Sequence, residues 1–252
     1  MSIGAAPIVL GFDTATPDTA AATWGGGEAV TRTVAPKDGR PAHNAELLRL
    51  VEEVVDAAGG WDAIERIAVG IGPGSFTGLR IGIATARALA QSRGLPIVGV
   101  PSTSALLAGI GASPVAEGRS PLAVIDARRG EVFAALCPSA QAGGADISRP
   151  EAEISATGPE PVVCAPGELA ARIGPEALAN AVAAGDGAVR FRSEIEASGA
   201  LVLPDGDQAH RLSASWICQL GAGTEAAGPE AIRPLYLRRP DAERWRERDG
   251  RN

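Results

Sequence analysis

The chain has 252 residues, enough for one large domain or two modest ones, and its 45% hydrophobic content is ordinary for a folded soluble protein. Its formal net charge is -7 and Lys37 is the only lysine; an acidic chain is poorly suited to gripping a nucleic-acid backbone unaided, because that grip rests on clustered cations. Cys137, Cys164 and Cys218 form no CxxC pair, which argues against a zinc knuckle or a disulfide framework and predicts structural thiols in a reducing cytosol.

The N-terminus lacks a basic stretch leading into a long apolar one, so no signal peptide is expected. No run approaches the ~20 apolar residues of a membrane span. A cytoplasmic protein with no membrane contact is expected.

In chain order, Ile8 to Phe12 reads as an apolar strand ending at Asp13. Thr19 to Trp24 returns as a hairpin, and Glu28 to Val34 adds a third strand. From His43, the apolar positions Leu47, Leu48, Val51, Val54, Val55 and Ala58 follow helical spacing until Gly59-Gly60 stop the helix. Ile64 to Ile71 is a buried strand that breaks at Gly72-Pro73-Gly74. A helix follows, capped by Ser75 or Thr77. A strand, a glycine turn and a helix start can receive an anion, or can simply be a tight turn.

On that helix Gly78, Gly82, Ala86 and Ala90 recur every fourth residue, leaving one face almost without side chains. Glycine costs ~1 kcal/mol relative to alanine in a helix interior, so the face asks for a packing reason. Close packing on the helix's own sheet is one; contact with a second subunit is the other.

Leu95 to Val100 is a strand, Ser102 caps a short helix to about Gly109, and 111–120 is a linker. The pattern then restarts: Leu122 to Ile125 ends at Asp126, Val132 to Cys137 returns, 138–161 is loop and strand edges, and Glu168 to Ile173 is helical. Ala181 to Ala184 runs into Gly185-Asp186-Gly187, and Gln208 to Gly221 reads as a helix. Asp126 minus Asp13 is 113, and Gly185 minus Gly72 is also 113, which suggests an internal duplication. The expected division is 1–110, 111–239 and a polar tail, 240–252. In the tail, alternating charges are compatible with a solvated helix or with disorder.

Independent chemistry is thin. His43 begins a helix but position 47 is Leu, so no HxxxH metal pair is present. The glycine turn lacks the Lys of a P-loop, and no G-x-S-x-G elbow occurs.

Two α/β halves, each with an Asp at an early hairpin, resemble the actin-like (ASKHA) phosphotransferase superfamily. The expected fold is therefore α/β and duplicated, each subdomain a mixed sheet flanked by helices. By that resemblance Asp13 and Asp126 would face a nucleotide cleft with Mg2+, although an Asp commonly holds only its own turn. GPGSFTGLRIG with its Ala-rich helix resembles the signature of the TsaB (YeaZ) family, and GFDTAT, His43 with Leu47 and Leu48, IDARRGEVF, GDGA and PLYLR at 234–238 resemble that family's other elements.

The resemblance implies a non-catalytic dimerisation and activating subunit. Its complex transfers threonylcarbamoyl to N6 of the adenosine next to the anticodon in tRNA. Implied partners are the catalytic paralogue TsaD and the ATPase TsaE, with a homodimer in their absence and tRNA reached only through the complex. The family pairs through its two early helices, which would give His43, Leu47, Gly78, Leu79, Gly82, Ile83 and Ala86 to the interface. Asp13, Asp126, Gly185 and Asp186 would line a vestigial nucleotide cleft, with no tightly bound cofactor and room for ATP or ADP with Mg2+ at the junction with the partner. The competing expectation is a small-molecule kinase or ATPase using Asp13 and Asp126 with Mg2+.

Overall fold

A computed structural model describes residues 7–138 and 158–238; the 240–252 tail and most of the 138–161 stretch lie outside the described residues. Two five-stranded sheets carry the fold. In the first, β1 (Val9–Asp13), β2 (Thr19–Gly25), β3 (Glu28–Val34), β4 (Arg66–Gly70) and β5 (Ile97–Val100) are ordered β3-β2-β1-β4-β5. In the second, β6 (Ser120–Arg128), β7 (Glu131–Leu136), β8 (Val162–Cys164), β9 (Ala181–Ala184) and β10 (Leu201–Val202) are ordered β8-β7-β6-β9-β10.

Each sheet has two antiparallel pairings on one side of its first strand and two parallel pairings on the other. The order and the directions repeat strand for strand. This is the duplicated actin-like fold, two mixed sheets flanked by helices.

The central strands are buried on both faces, as their near-continuous apolar runs require. Leu10, Phe12, Ile67 and Val69 pack under α1 (His43–Ala57) and α2 (Phe76–Arg93). Ser75 caps α2, its hydroxyl accepting from the Gly78 amide at 3.3 Å. The opposite face of the first sheet, with Val9, Ala68 and Val98, is covered by α8 (Ala214–Ala222). Gly11 and Gly221 permit that approach. A methyl on Gly11 would come within 2.6 Å of the Cys218 sulfur, and one on Gly221 within 2.6 Å of the Ala68 methyl.

The second sheet receives α3 (Ser102–Gly111) on one face through Leu106, Leu107 and Ile110. Its other face is closed by the short helices α4 (Leu169–Ile173), α5 (Pro175–Ala179), α6 (Asp186–Arg190) and α7 (Arg192–Ala197), with Leu169, Leu178, Ala188 and Ile195 inward. The α3 and α8 helices also pack against each other. The molecule is thus layered as α1/α2, first sheet, α8/α3, second sheet, α4–α7. Each half contributes a helix to the other half's sheet.

Candidate functional site

The β1–β2 and β6–β7 turns, the start of α2 and the segment 235–238 enclose a cleft of about 440 Å³. Its walls include Thr16 and Pro17 from the first hairpin, Ser75 to Thr77 from α2, and Asp126 to Arg129 from the second hairpin. Asp186 and the segment Leu235 to Arg238 complete it.

Asp126 sits at a β-bulge, where the β6–β7 register shifts between Asp126 and Arg128; a bulge re-aims the side chain it carries. Its carboxylate accepts from Arg190 at 2.7 Å, from the Arg128 guanidinium at 3.2 Å and from the Arg128 amide at 2.8 Å. Beside it, Asp186 accepts from the amides of Asp126 (3.1 Å) and Gly187 (3.0 Å). Burial pushes the Asp186 carboxyl up to about 6, against the pull of those amides. Gly185 precedes Asp186 at φ +124°, a left-handed angle that suits glycine, and lies against the Val124 carbonyl.

Asp13 is not part of this cleft. It is 1% exposed and fills the space left by the missing side chain of Gly70. Its carboxylate accepts from the Ala15 amide at 2.7 Å and the Ser102 hydroxyl at 2.5 Å, while Ser102 in turn accepts from the Gly72 amide at 3.1 Å. Burial raises its carboxyl above the ordinary range. The residue holds its own turn and the glycine turn behind it. The expectation of an Asp13–Asp126 pair facing one cleft is therefore corrected, and with it the kinase reading loses half of its chemistry. The Ser102 hydroxyl, expected to cap α3, serves Asp13 instead, and α3 has no side-chain cap.

The spacing of 113 is also reinterpreted. Phe12 pairs with Val69, so Asp13 lies level with Gly70 and Gly72 is beyond it. Ala123 pairs with Ala184, so Gly185 lies level with Val124 and is reached before Asp126. The two glycine turns match in count and not in place.

The seven residues assigned to a partner surface are all buried within this chain. His43 is 4% exposed, its Nδ1 at 2.8 Å from the Thr19 hydroxyl, and burial lowers its pKa. The small face of α2 does receive a backbone closely, and that backbone is the chain's own. A methyl on Gly78 would overlap the Thr14 carbonyl, and one on Gly82 would overlap the Thr14 hydroxyl, which donates to the Gly78 carbonyl at 2.8 Å. Leu79, Ile83 and Ala86 are sealed with them, and Leu47 packs in the same core.

What α1 and α2 leave outside is different. Leu48 is 61% exposed, the most exposed large apolar side chain among the described residues, and Ala45, Ala84 and Ala88 are also exposed. Sequence reasoning placed Leu48 on the helix without marking it as outward. Counting from the buried positions Leu47, Leu50 and Val51 would have found it.

No group of three or more His, Cys, Asp or Glu side chains among the described residues is placed to hold a metal ion. No helix among them is long and apolar enough to cross a membrane.

A family model described as "TsaD: tRNA N6-adenosine threonylcarbamoyltransferase" matches residues 28–193. The Escherichia coli K12 "tRNA threonylcarbamoyladenosine biosynthesis protein TsaB" is 36% identical over 131 residues, 50% of this chain and 52% of that protein. The Haemophilus influenzae protein of the same description is 33% identical over 92 residues, 36% of this chain and 38% of that protein. The chain spans about half the length of the curated relatives it matches, or less. The solved structure of "YeaZ from Pseudomonas aeruginosa" is similar over 92% of this chain and 100% of its own, with a TM-score of 0.69 and 26% identity.

Proposed function

The chain belongs to the TsaD, tRNA N6-adenosine threonylcarbamoyltransferase, family and within it to the TsaB (YeaZ) group, and from that premise we propose that it serves tRNA threonylcarbamoyladenosine biosynthesis as a non-catalytic pairing and activating subunit. Its partners in this reading are a TsaD-type catalytic paralogue and the ATPase TsaE, with a homodimer when they are absent.

The observation that carries the reading is Leu48, 61% exposed on a helix pair whose other large apolar side chains are covered or partly covered. A leucine held in water on a helix flanked by exposed alanines suits a close helix-to-helix contact. The pairing surface is thus the outward side of α1 and α2. The buried glycines act indirectly, by seating α2 on the β1–β2 turn.

The acidic residues support a non-catalytic role. Asp13 is sealed, and Asp126 faces two guanidinium groups, so this donor set does not fit a magnesium ion. ATP or ADP with Mg2+ at the junction would depend on donors from the partner.

The test is the mass of the full chain mixed with its paralogue. Leu48→Glu should weaken association by on the order of tenfold or more while leaving the thermal transition of the isolated chain in place. Pairing at wild-type strength by that variant would move the interface off these helices. Gly82→Leu is the contrast. It should lower the stability of the isolated chain, because the added side chain meets Thr14 rather than a partner.

A further inference from the structure

The cleft carries a chemistry that pairing does not use. Arg128, Arg129 and Arg238 line it, and Arg80 and Arg190 reach it through Tyr236 and Asp126. Among the described residues the carboxylates of Asp126, Asp186 and Glu131 stand against them, the last paired with Arg238 at 3.0 Å. In a chain of net charge -7, arginines are thus gathered at this cleft among the described residues.

The second hairpin presents its arginines at a cost in backbone conformation. Arg128 (φ +63°) and Arg129 (φ +58°) both adopt left-handed angles that side chains rarely take. Glycine or asparagine would fit the turn more easily, so a turn designed for stability alone would not place arginine there. Such outliers concentrate where a site needs a particular side chain.

An aromatic pair also lines the cleft. Tyr236 is 39% exposed, with its ring centroid 5.2 Å from that of Phe76. Arg80 lies over the other ring, 3.9 Å from its centroid, and donates to the Tyr236 hydroxyl at 3.3 Å. Both aromatic residues line the cleft, and the Arg80 contacts hold the pair together.

Guanidinium groups and a supported aromatic ring lining one cleft of about 440 Å³ match a phosphate joined to a flat base. We propose that this cleft holds one unstacked nucleotide of single-stranded RNA, its phosphate on the Arg128–Arg129 turn and its base on Tyr236. The proposal rests on the tRNA-modification reading for its choice of RNA. The acidic remainder of the surface keeps such binding local, because the nonspecific grip of a basic protein is absent.

Fluorescence anisotropy of a labelled single-stranded oligoadenylate, titrated with the full chain at low salt, tests it. Wild type should bind saturably, and affinity should fall linearly on a log–log plot against salt. The Arg128→Ala/Arg129→Ala double variant should lose about tenfold in affinity and flatten that slope. Arg129→Gly separates binding from folding: relief of the left-handed angle should raise the melting temperature while affinity falls. A purely structural arginine would not weaken binding there. Tyr236→Ala should weaken binding about tenfold, and Tyr236→Phe should restore it.

The proposal is overturned by a failure of wild type to saturate, or by arginine variants that bind equally well. It is also overturned if AMP competes as effectively as the oligomer, which would make the cleft a free-nucleotide site. If the arginine variants lose the paralogue and keep the RNA, the cleft is a protein contact instead. Mass measurement on the same variants keeps the two readings apart. Arginine variants that lose RNA and keep pairing are the expected result; a wild type that pairs with its paralogue and never binds RNA defeats only this inference, and a wild type that binds RNA and never pairs defeats only the pairing role.

Discussion

The two hairpins begin alike, an apolar strand ending in aspartate, and finish with opposite duties. In the first, a five-residue turn folds Asp13 under Gly70, where it serves Ser102 and the Ala15 amide. In the second, a tight turn and a bulge bring Asp126 to the cleft wall among guanidinium groups. The difference teaches that a repeated residue type fixes neither environment nor role. The neighbouring strand decides: a glycine level with the aspartate makes a socket for it, and a bulge turns the carboxylate toward the cleft.

The largest test of that contrast is Asp13→Ala. It leaves a buried hydroxyl and a buried amide without their acceptor, so the loss should be about 3 kcal/mol in urea unfolding. A loss below about 1 kcal/mol would mean that Asp13 does no more for the fold than a surface ion-pair carboxylate.

Asp126→Ala is expected to cost less, about 1 kcal/mol, since its partners Arg128 and Arg190 are 60% and 51% exposed at the side chain. If the two variants were equally damaging, the hairpins would share one structural role after all.

The smallest effect concerns acid. Asp186 has its folded carboxyl pushed up to about 6 by burial, so the fold favours the protonated form. Its contribution is fully present below the unfolded value near 4 and is lost as pH rises through about 6. Asp186→Asn should remove this dependence. Because the residue is partly open to solvent, the difference between pH 4.5 and pH 7 stability curves of variant and wild type should be on the order of 1 kcal/mol. Identical pH dependence in the two proteins would contradict the burial argument.

Much of the frame was legible in the residues because periodicity is local. The strand, glycine turn and capped helix at 64–93 follow from β-branched runs, Ser75 and the four-residue rhythm of small residues. Who occupies the bare face of α2 was not legible. A glycine announces that something comes close without saying from where, and Thr14, far back in the chain, is joined to it only by the fold. For the same reason Asp13 and Asp126 looked equivalent: what separates them is Gly70 on a strand more than fifty residues later. Among the short helices after residue 164, α6 and α7 are too brief for a period to emerge, and Gln208 to His210 proved a single 3-10 turn ahead of α8.

The reciprocal placement of α3 and α8 has a consequence for how the chain is made. During synthesis β1, β4 and β5 emerge with Val9, Ala68 and Val98 facing a partner that has not yet been translated, since α8 begins only at Ala214. The first sheet therefore leaves the ribosome with one greasy side bare for more than a hundred residues of further synthesis, from Val98 to Ala214, and the second sheet matures on a helix borrowed from upstream. Each half expressed by itself should therefore lose stability, because one face of its sheet would lack the helix that covers it.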